Sequence, residues 1–305
     1  APARAVASAW RPNGSVELVV PYAPGGGSSI TALEINKTVQ ENNLLSQPFN
    51  ITNKPGASGS VGLAYVIEKR GDPLVLATGV DSGLITNKLA GTAPFDFEDL
   101  TPISLLAVDE VLIATQASSQ FQSIQDLIEF AKANPGQITA GGTGATGTER
   151  LAFQLLEQAT GTEIEYVPFN SGAEVNAALL GGHIDIAASN PNEFFPQIEA
   201  GNLRPLVTLS RERVAALPNT PTMVELGYPN AILQLGRGIV GPPGMPPEAV
   251  EFYEDLFRRV AETQVWKDYV QKNSMTLEYR DQEAYIEYLR ESRDRMRELM
   301  ESLEE

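Results

Sequence analysis

The chain of 305 residues carries no cysteine, a single histidine and a formal net charge of −17, and 42% of its residues are hydrophobic. Its length and apolar content favour a globular protein of two lobes, while the missing cysteine and the lone histidine exclude disulfides and thiolate chemistry and argue against a histidine-based zinc site. The negative charge makes nucleic acid a poor partner, because phosphate binding needs clustered Lys and Arg.

Short β-rich segments alternate with longer helical ones, and the C-terminal part is mainly helical. Hydrophobic periodicity predicts strands over residues 16–21, 49–53, 74–78, 110–115, 137–141, 164–167, 184–188 and 203–209. It predicts helices over residues 28–42, 61–69, 123–133, 148–160, 173–180, 192–200, 247–262 and 281–304. This alternation is typical of an α/β fold with parallel sheets covered by helices.

The segment PYAPGGGSSI (21–30) joins the first predicted strand to the first predicted helix. The backbone N–H groups that begin a helix have no intrahelical partner and lie at the positive end of the helix dipole, so they attract an anion. Glycine lets a ligand approach the main chain closely, and Ser28 and Ser29 add hydroxyl donors. A plain turn with N-capping serines is the alternative interpretation. A phosphate-binding P-loop is not indicated, because no lysine follows the glycines until Lys37.

A second glycine-rich turn, GGTGATG (141–147), also follows a predicted strand and precedes a helix. Residues 142–147 satisfy G-x-G-x-x-G, so an NAD(P)-dependent oxidoreductase stays open as an alternative function. The dinucleotide fingerprint also requires an acidic residue just after the next strand, where this chain has Pro-Phe-Asn at 168–170. Two such turns in one α/β chain favour a carboxylate or phosphate site.

Seven stretches of the chain match a known pattern in order and spacing. They are VELVVPYAPGGGSS (16–29), NKPGASGSVG (53–62), FEDLTPISLLA (97–107), TAGGTGATGTERLA (139–152), VPFNSGAEVNAALLGGHIDIAASNPNE (167–193), AGNLRPLVTLSRERVAALPNTPTMVELG (200–227) and GRGIVGPPGMPPEAV (236–250). Through them the chain resembles the periplasmic receptors of tripartite tricarboxylate transporters, the TctC or Bug family. The resemblance extends from about residue 16 to the last helix.

The resemblance implies a type II periplasmic binding protein, with two α/β lobes joined by two crossing strands and a ligand cleft between them. Lobe one is expected to be residues 1–105 plus 228–305, and lobe two residues 106–227. The implied function is capture of a small organic acid by lobe closure and its delivery to the membrane permease subunits of a tripartite transporter. The implied protein is an exported periplasmic monomer whose signal peptide is absent from this chain. Neither a catalytic residue nor a cofactor nor a metal is expected, and a receptor that feeds a signalling partner is a further alternative.

The resemblance also carries ligand-binding positions onto this chain. They are Gly25, Gly26, Gly27, Ser28 and Ser29 in the first loop, Thr143, Gly144, Ala145, Thr146 and Gly147 in the second, and Ser82, Asn170, Ser171 and Asn190 elsewhere. Two positions depart from the family pattern: Ser29 stands where many members have Asp, and Arg150 stands where many have His. The missing Asp argues against an amino-acid ligand.

Arg237 lies in the apolar stretch LQLGRGIV, near the implied return crossing. An arginine in apolar surroundings is costly unless it is paired. Its planar fork suits a second ligand carboxylate, which predicts a di- or tricarboxylate. An internal salt bridge to one of the many acidic residues is the alternative.

Overall fold

The structure is a computed structural model, and it describes residues 10–25, 27–143, 147–169 and 172–301. Eleven strands lie within these residues: β1 Glu17–Val20, β2 Asn50–Asn53, β3 Val75–Gly79, β4 Thr101–Glu110, β5 Leu112–Gln116, β6 Ile138–Thr143, β7 Ile164–Phe169, β8 Ile186–Ser189, β9 Leu203–Thr208, β10 Gln234–Gly241 and β11 Thr276–Arg280.

Ten α-helices accompany the strands in the same described ranges. They are α1 Gly27–Glu41, α2 Ser60–Glu68, α3 Asn87–Leu89, α4 Ile124–Ala133, α5 Thr148–Thr160, α6 Gly172–Leu180, α7 Pro191–Glu199, α8 Pro247–Glu262, α9 Gln264–Lys272 and α10 Gln282–Glu301. Short 3₁₀ turns lie at Ala57–Gly59 and Phe97–Asp99, and a π turn at Ser82–Thr86 leads into α3. Within the described part of the chain, none of the helices is both long and apolar enough to cross a membrane.

The chain divides into two compact units. The first runs as far as Val108 and resumes at Leu235–Val270 and Leu277–Glu298. The second contains Asp109–Gln234, Gln271–Thr276 and the chain from Leu299. One sheet has six strands in the order β11-β4-β10-β3-β1-β2, and the other has five in the order β7-β6-β8-β5-β9. The lobe boundaries expected from the sequence stay a prediction.

The pairing of the strands corrects one expectation. β1 is parallel to β2 and β3, and β6 is parallel to β7 and β8, as strand–helix alternation predicts. β10, however, pairs antiparallel with β3, and β5 pairs antiparallel with both β8 and β9. The expectation of parallel sheets therefore holds for the strands of the βαβ units, while both sheets also contain antiparallel pairs. Alternation identifies βαβ units, whereas β5 and β10 do not follow a helix that returns the chain to the same edge.

In the first unit, α10 packs on the glycine face of β10. Side chains alternate along a strand, so Gly236 and Gly238 share one face while Arg237 lies on the other. A Cβ on Gly236 would lie 2.9 Å from Tyr288 Cε1, and a Cβ on Gly238 would lie 2.9 Å from Tyr285 Cε1. Both tyrosine side chains are fully buried. The sequence Gly-Arg-Gly therefore leaves room for a helix on one face and presents a guanidinium on the other.

In the second unit, α4 begins with a capping box. Ser123 Oγ accepts a hydrogen bond from the Asp126 amide at 3.1 Å, and Asp126 Oδ2 accepts one from the Ser123 amide at 3.1 Å. The helix buries its predicted apolar face, which consists of Ile124, Leu127, Ile128 and Ala131.

We expect Ser123→Ala to lower the free energy of unfolding by about 1 kcal/mol, because one amide of the first turn of α4 loses its acceptor. Urea denaturation followed by circular dichroism measures the change. Ser15→Ala serves as the control, since Ser15 is exposed and precedes no helix. An equal loss in both variants would contradict a capping role for Ser123.

Candidate anion-binding site

The first glycine-rich loop connects β1 to α1. Gly25 has a φ of 87°, in the left-handed region that favours glycine, and Gly26 lies outside the described residues. α1 begins at Gly27, and its uncharged first turn includes Ser28 and Ser29, which are only 6% and 5% exposed. The positive end of this helix dipole has no carboxylate from its own first turn, so the helix start favours a bound anion.

Arg237 reaches this helix start from β10. Its Nη1 donates to Ser28 Oγ at 3.4 Å, across 209 residues of sequence. A Cβ on Gly27 would lie 3.0 Å from Arg237 Nη2, so the guanidinium lies directly against the glycine backbone. The guanidinium and the positive end of α1 therefore converge on one place in the first unit. This geometry favours a role for Arg237 at the same carboxylate as the first loop, rather than at a second one.

Tyr22, which follows β1, joins the site although sequence reasoning did not select it. Its hydroxyl lies 2.8 Å from Ser82 Oγ, and its backbone oxygen accepts from Asn53 Nδ2 at 2.9 Å. Burial raises the pKa of the Tyr22 phenol above its usual value, so it keeps its proton at neutral pH. The predicted residue Ser82 thus stands beside a second hydroxyl. A tyrosine at the end of a buried strand, just before the glycines, was the available sequence signal.

The turn before α2 holds Tyr22 through a strained backbone. Residues 56–59 all have positive φ, including the non-glycine Ala57 at 46° and Ser58 at 50°. A non-glycine residue in this region costs roughly 1–2 kcal/mol. Asn87 Nδ2 donates to Ser58 O at 2.9 Å, and a Cβ on Gly59 would lie 2.7 Å from the Tyr22 hydroxyl oxygen. Strain of this kind is common where a fold positions functional groups.

The second glycine-rich turn is only partly described. Thr143 is the last residue of β6, and Gly147, with a φ of 130°, immediately precedes α5. The predicted ligand residues Gly144, Ala145 and Thr146 lie outside the described residues. The turn therefore lies between a strand and a helix as predicted, and the ligand contacts proposed for it stay predictions.

The glycine at 142 has a packing reason. A Cβ there would lie 2.5 Å from Glu149 Cβ and 2.6 Å from the Tyr166 hydroxyl. Glu149 is in the first turn of α5, where the pyrophosphate of a dinucleotide would bind. Burial raises the pKa of this carboxyl, and the charge of Glu193 adds to the effect. A carboxyl group at this helix start is unfavourable for a second anion as highly charged as a pyrophosphate.

The other predicted residues of the second unit are Asn170, Ser171 and Asn190. Asn170 and Ser171 lie outside the described residues. Asn190 precedes α7, and its Nδ2 donates to the backbone oxygen of Glu110 at 2.9 Å. One amide proton of Asn190 is therefore used in a hydrogen bond within the protein, and a contact between Asn190 and a ligand stays a prediction.

A family model described as the tripartite tricarboxylate transporter family receptor, TctC, matches residues 35–304. The chain belongs to this family. A UPF0065 protein of Cupriavidus necator is 29% identical over 306 residues, which cover 99% of this chain and 91% of the relative. The expected resemblance to this family is thereby confirmed. The members of the family are solute-binding receptors, and none of these similarities favours an oxidoreductase.

Solved structures of similar proteins share the two-lobed, type II-like fold of the receptor. A TctC solute-binding protein from Polaromonas, solved without ligand, has a TM-score of 0.86 at 25% identity and covers 95% of this chain and 99% of its own. MatC from Rhodopseudomonas palustris, solved with malate, has a TM-score of 0.74 at 20% identity over 93% and 98% of the two chains. Another R. palustris protein, solved with adipate, has a TM-score of 0.76 at 24% identity over 95% and 97%. At these identities the last two establish the fold alone.

Arg150, where many family members have histidine, has a structural role in this receptor. Its Nη1 lies 3.4 Å from Glu157 Oε2, about two turns further along α5. Its guanidinium carbon lies 5.2 Å from the centre of the Tyr166 ring. These two contacts hold the Arg150 side chain against Glu157 and Tyr166.

Proposed function

We propose that this receptor binds a small di- or tricarboxylate and holds one of its carboxylates with Arg237 and the start of α1. The observation that supports the proposal is the guanidinium of Arg237 lying against Gly27 and Ser28. A guanidinium fork and the N–H groups of a helix start are complementary to the two oxygens of a carboxylate. The hydroxyls of Tyr22 and Ser82 add neutral donors in the same unit.

The overall charge of −17 is compatible with an anionic ligand. Exposed charges are screened beyond about 8 Å at physiological ionic strength, so distant acidic side chains repel a bound anion only weakly. Each hydrogen bond to a charged acceptor contributes roughly 1.5–3 kcal/mol, and a micromolar complex needs about 8 kcal/mol. Four or five such bonds are therefore enough.

The remaining predicted contacts belong to the same proposal. They are Gly25, Gly26 and Ser29 in the first loop, Thr143, Gly144, Ala145, Thr146 and Gly147 in the second, and Asn170, Ser171 and Asn190 elsewhere. Family membership supports them. We further propose that the receptor acts as an exported periplasmic monomer, without catalytic activity, and hands its ligand to the permease subunits of a tripartite transporter.

The experiment is calorimetric titration of the purified receptor with malate, adipate, citrate, hexanoate and NAD⁺. We expect micromolar or tighter binding of at least one di- or tricarboxylate, a higher melting temperature in its presence, and weaker binding of hexanoate. Failure of every carboxylate to bind would reject the proposed ligand class. Stoichiometric NAD⁺ binding would instead support the oxidoreductase alternative.

A further inference from the structure

A buried carboxyl group lies behind the proposed ligand site. Asp81 immediately precedes Ser82 and is only 4% exposed. Its Oδ2 lies 3.4 Å from the Tyr288 hydroxyl, which donates to it, and its Oδ1 has no hydrogen-bond partner within the described residues. The Tyr285 hydroxyl is likewise buried without a partner there. Asp81 is thus buried between β10 and the tyrosines of α10, with one long hydrogen bond from Tyr288, the backbone amide of Gly236 beside its carboxyl group, and no salt bridge in the described part of the chain.

Burial at this place disfavours an ionised carboxylate, because the charge loses its hydration and gains only few partners in return. Burial raises the pKa of Asp81 to about 7, although the backbone amide of Gly236, the Tyr288 hydroxyl and the positive charges of Arg295 and Arg237 act in the opposite direction. Burial also raises the pKa values of Tyr285 and Tyr288 well above their usual value. Of this cluster, Asp81 is the group whose pKa lies nearest to neutrality.

Asp81 packs against β10 at the residue that precedes Arg237. A Cβ on Gly236 would lie 3.1 Å from Asp81 Oδ1, and Gly236 is the residue before Arg237. The charged and titratable groups around Asp81 are Arg237 on β10, Tyr285, Tyr288 and Arg295 on α10, and the phenol of Tyr22. The positive charge of Arg237 favours ionised Asp81, and an anion bound at Arg237 opposes that effect.

We propose that this receptor takes up a proton at Asp81 when an anionic ligand binds at Arg237, so that ligand and proton bind together. The inference rests on the proposed function, because it requires the anion to bind beside Arg237. The reaction adds one proton to the Asp81 carboxylate and changes no other covalent bond. The Asp81 side chain acts here through the electric field at the site and not by touching the ligand.

The sign of the pH dependence follows from linkage. A ligand carboxylate adds negative charge near Asp81 and offsets the charge of Arg237, so it raises the pKa of Asp81 further. By reciprocity, the protonated receptor binds the ligand more tightly, and affinity falls as pH rises through neutrality. If the ligand raises the pKa by about one unit from a starting value of about 7, uptake at pH 7 is about 0.4 proton per ligand. Affinity is then about sevenfold higher at pH 6 than at pH 8.5.

The test is calorimetric titration of the whole chain with adipate at pH 7, in two buffers whose ionisation enthalpies differ widely. The difference between the two observed enthalpies gives the number of protons taken up. We expect a fraction of a proton for the wild-type chain and none for Asp81→Asn, which keeps the shape of the side chain but cannot ionise. Asp255→Asn, at an exposed position of α8, is the matched control and should behave as wild type.

Each outcome decides the question. Binding without proton uptake by the wild-type chain overturns the inference and leaves the proposed function intact. Equal uptake by wild type and Asp81→Asn overturns the assignment to Asp81. Failure of adipate and every other carboxylate to bind overturns the proposed function and this inference together. If Asp81→Asn does not fold, carbon-13 NMR of aspartate carboxyls in the wild-type chain replaces it: a pKa for Asp81 that rises on adding adipate supports the inference, and an unchanged pKa overturns it.

Discussion

Arg237→Ala is expected to weaken adipate binding by about 30- to 150-fold, because loss of a forked, charge-assisted pair costs roughly 2–3 kcal/mol. The guanidinium lies beside Ser28 and against Gly27, so in the proposed complex it pairs with the carboxylate at the start of α1. Hexanoate, which carries only one carboxylate, should occupy the same place and lose affinity by a similar factor. Calorimetric titration of both ligands measures the two losses.

Two further variants sharpen the result. Arg237→Lys keeps the positive charge but lacks the planar fork, so an intermediate loss of affinity is expected. Arg258→Ala removes a guanidinium that pairs with Asp255 on the exposed side of α8, and it should leave affinity unchanged. A loss confined to adipate would show that Arg237 contacts a second carboxylate, as the sequence alone suggested. No loss for either ligand would remove Arg237 from the site.

Gly238→Ala is expected to lower the free energy of unfolding by about 3 kcal/mol, at the upper end of the range for overpacking a core. The added methyl group would overlap the hydroxyl and ring of Tyr285, a fully buried side chain of α10. On the other side, Gly238 pairs with Gly79 of β3, so β10 cannot shift without disturbing the sheet. Urea denaturation at neutral pH measures the loss.

The control for this prediction is Gly14→Ala. A Cβ on Gly14 would lie 3.6 Å from Leu74 Cδ1, which is an ordinary contact distance, so we expect a change within about 0.5 kcal/mol. Combining Gly238→Ala with Tyr285→Phe should recover part of the stability, because the shorter side chain removes the hydroxyl from the overlap. If Gly238→Ala were as mild as Gly14→Ala, the close packing of α10 on β10 would be wrong.

Local sequence patterns predicted the helices and strands of the βαβ units well. The predicted helices 148–160 and 247–262 coincide with α5 and α8, and most of the other predicted elements differ from the structure by one or two residues at their ends. These segments carry strong periodicity and clear caps or turns, so the local signal is sufficient. Periodicity missed α9 and β11, which are short and rich in polar residues, and it missed β10, whose glycines have weak strand preference. It also missed the three-residue helix α3 and the strand β4, whose apolar residues form a run without alternation.

The ligand contacts of the candidate site stay predictions. The two glycine turns were selected from the sequence because strand–glycine–helix junctions are local features, and Ser82 was selected through the family resemblance. Tyr22 was not selected, since an isolated tyrosine gives no sign of its partners. Arg237 was selected for its apolar neighbourhood, and the structure places it at the first loop rather than apart from it.

By itself, the sequence determined the α/β class, the βαβ elements, the two glycine-rich helix starts and the receptor family. Each of these features depends on residues that are close together along the chain. Only the tertiary structure decided that Arg237 lies beside Ser28, that Asp81 is buried behind Ser82, and that β5 and β10 run antiparallel to their neighbours. Burial and charge proximity depend on which distant segments pack together, and that choice is made by the free energy of the whole fold and not by any short stretch of sequence.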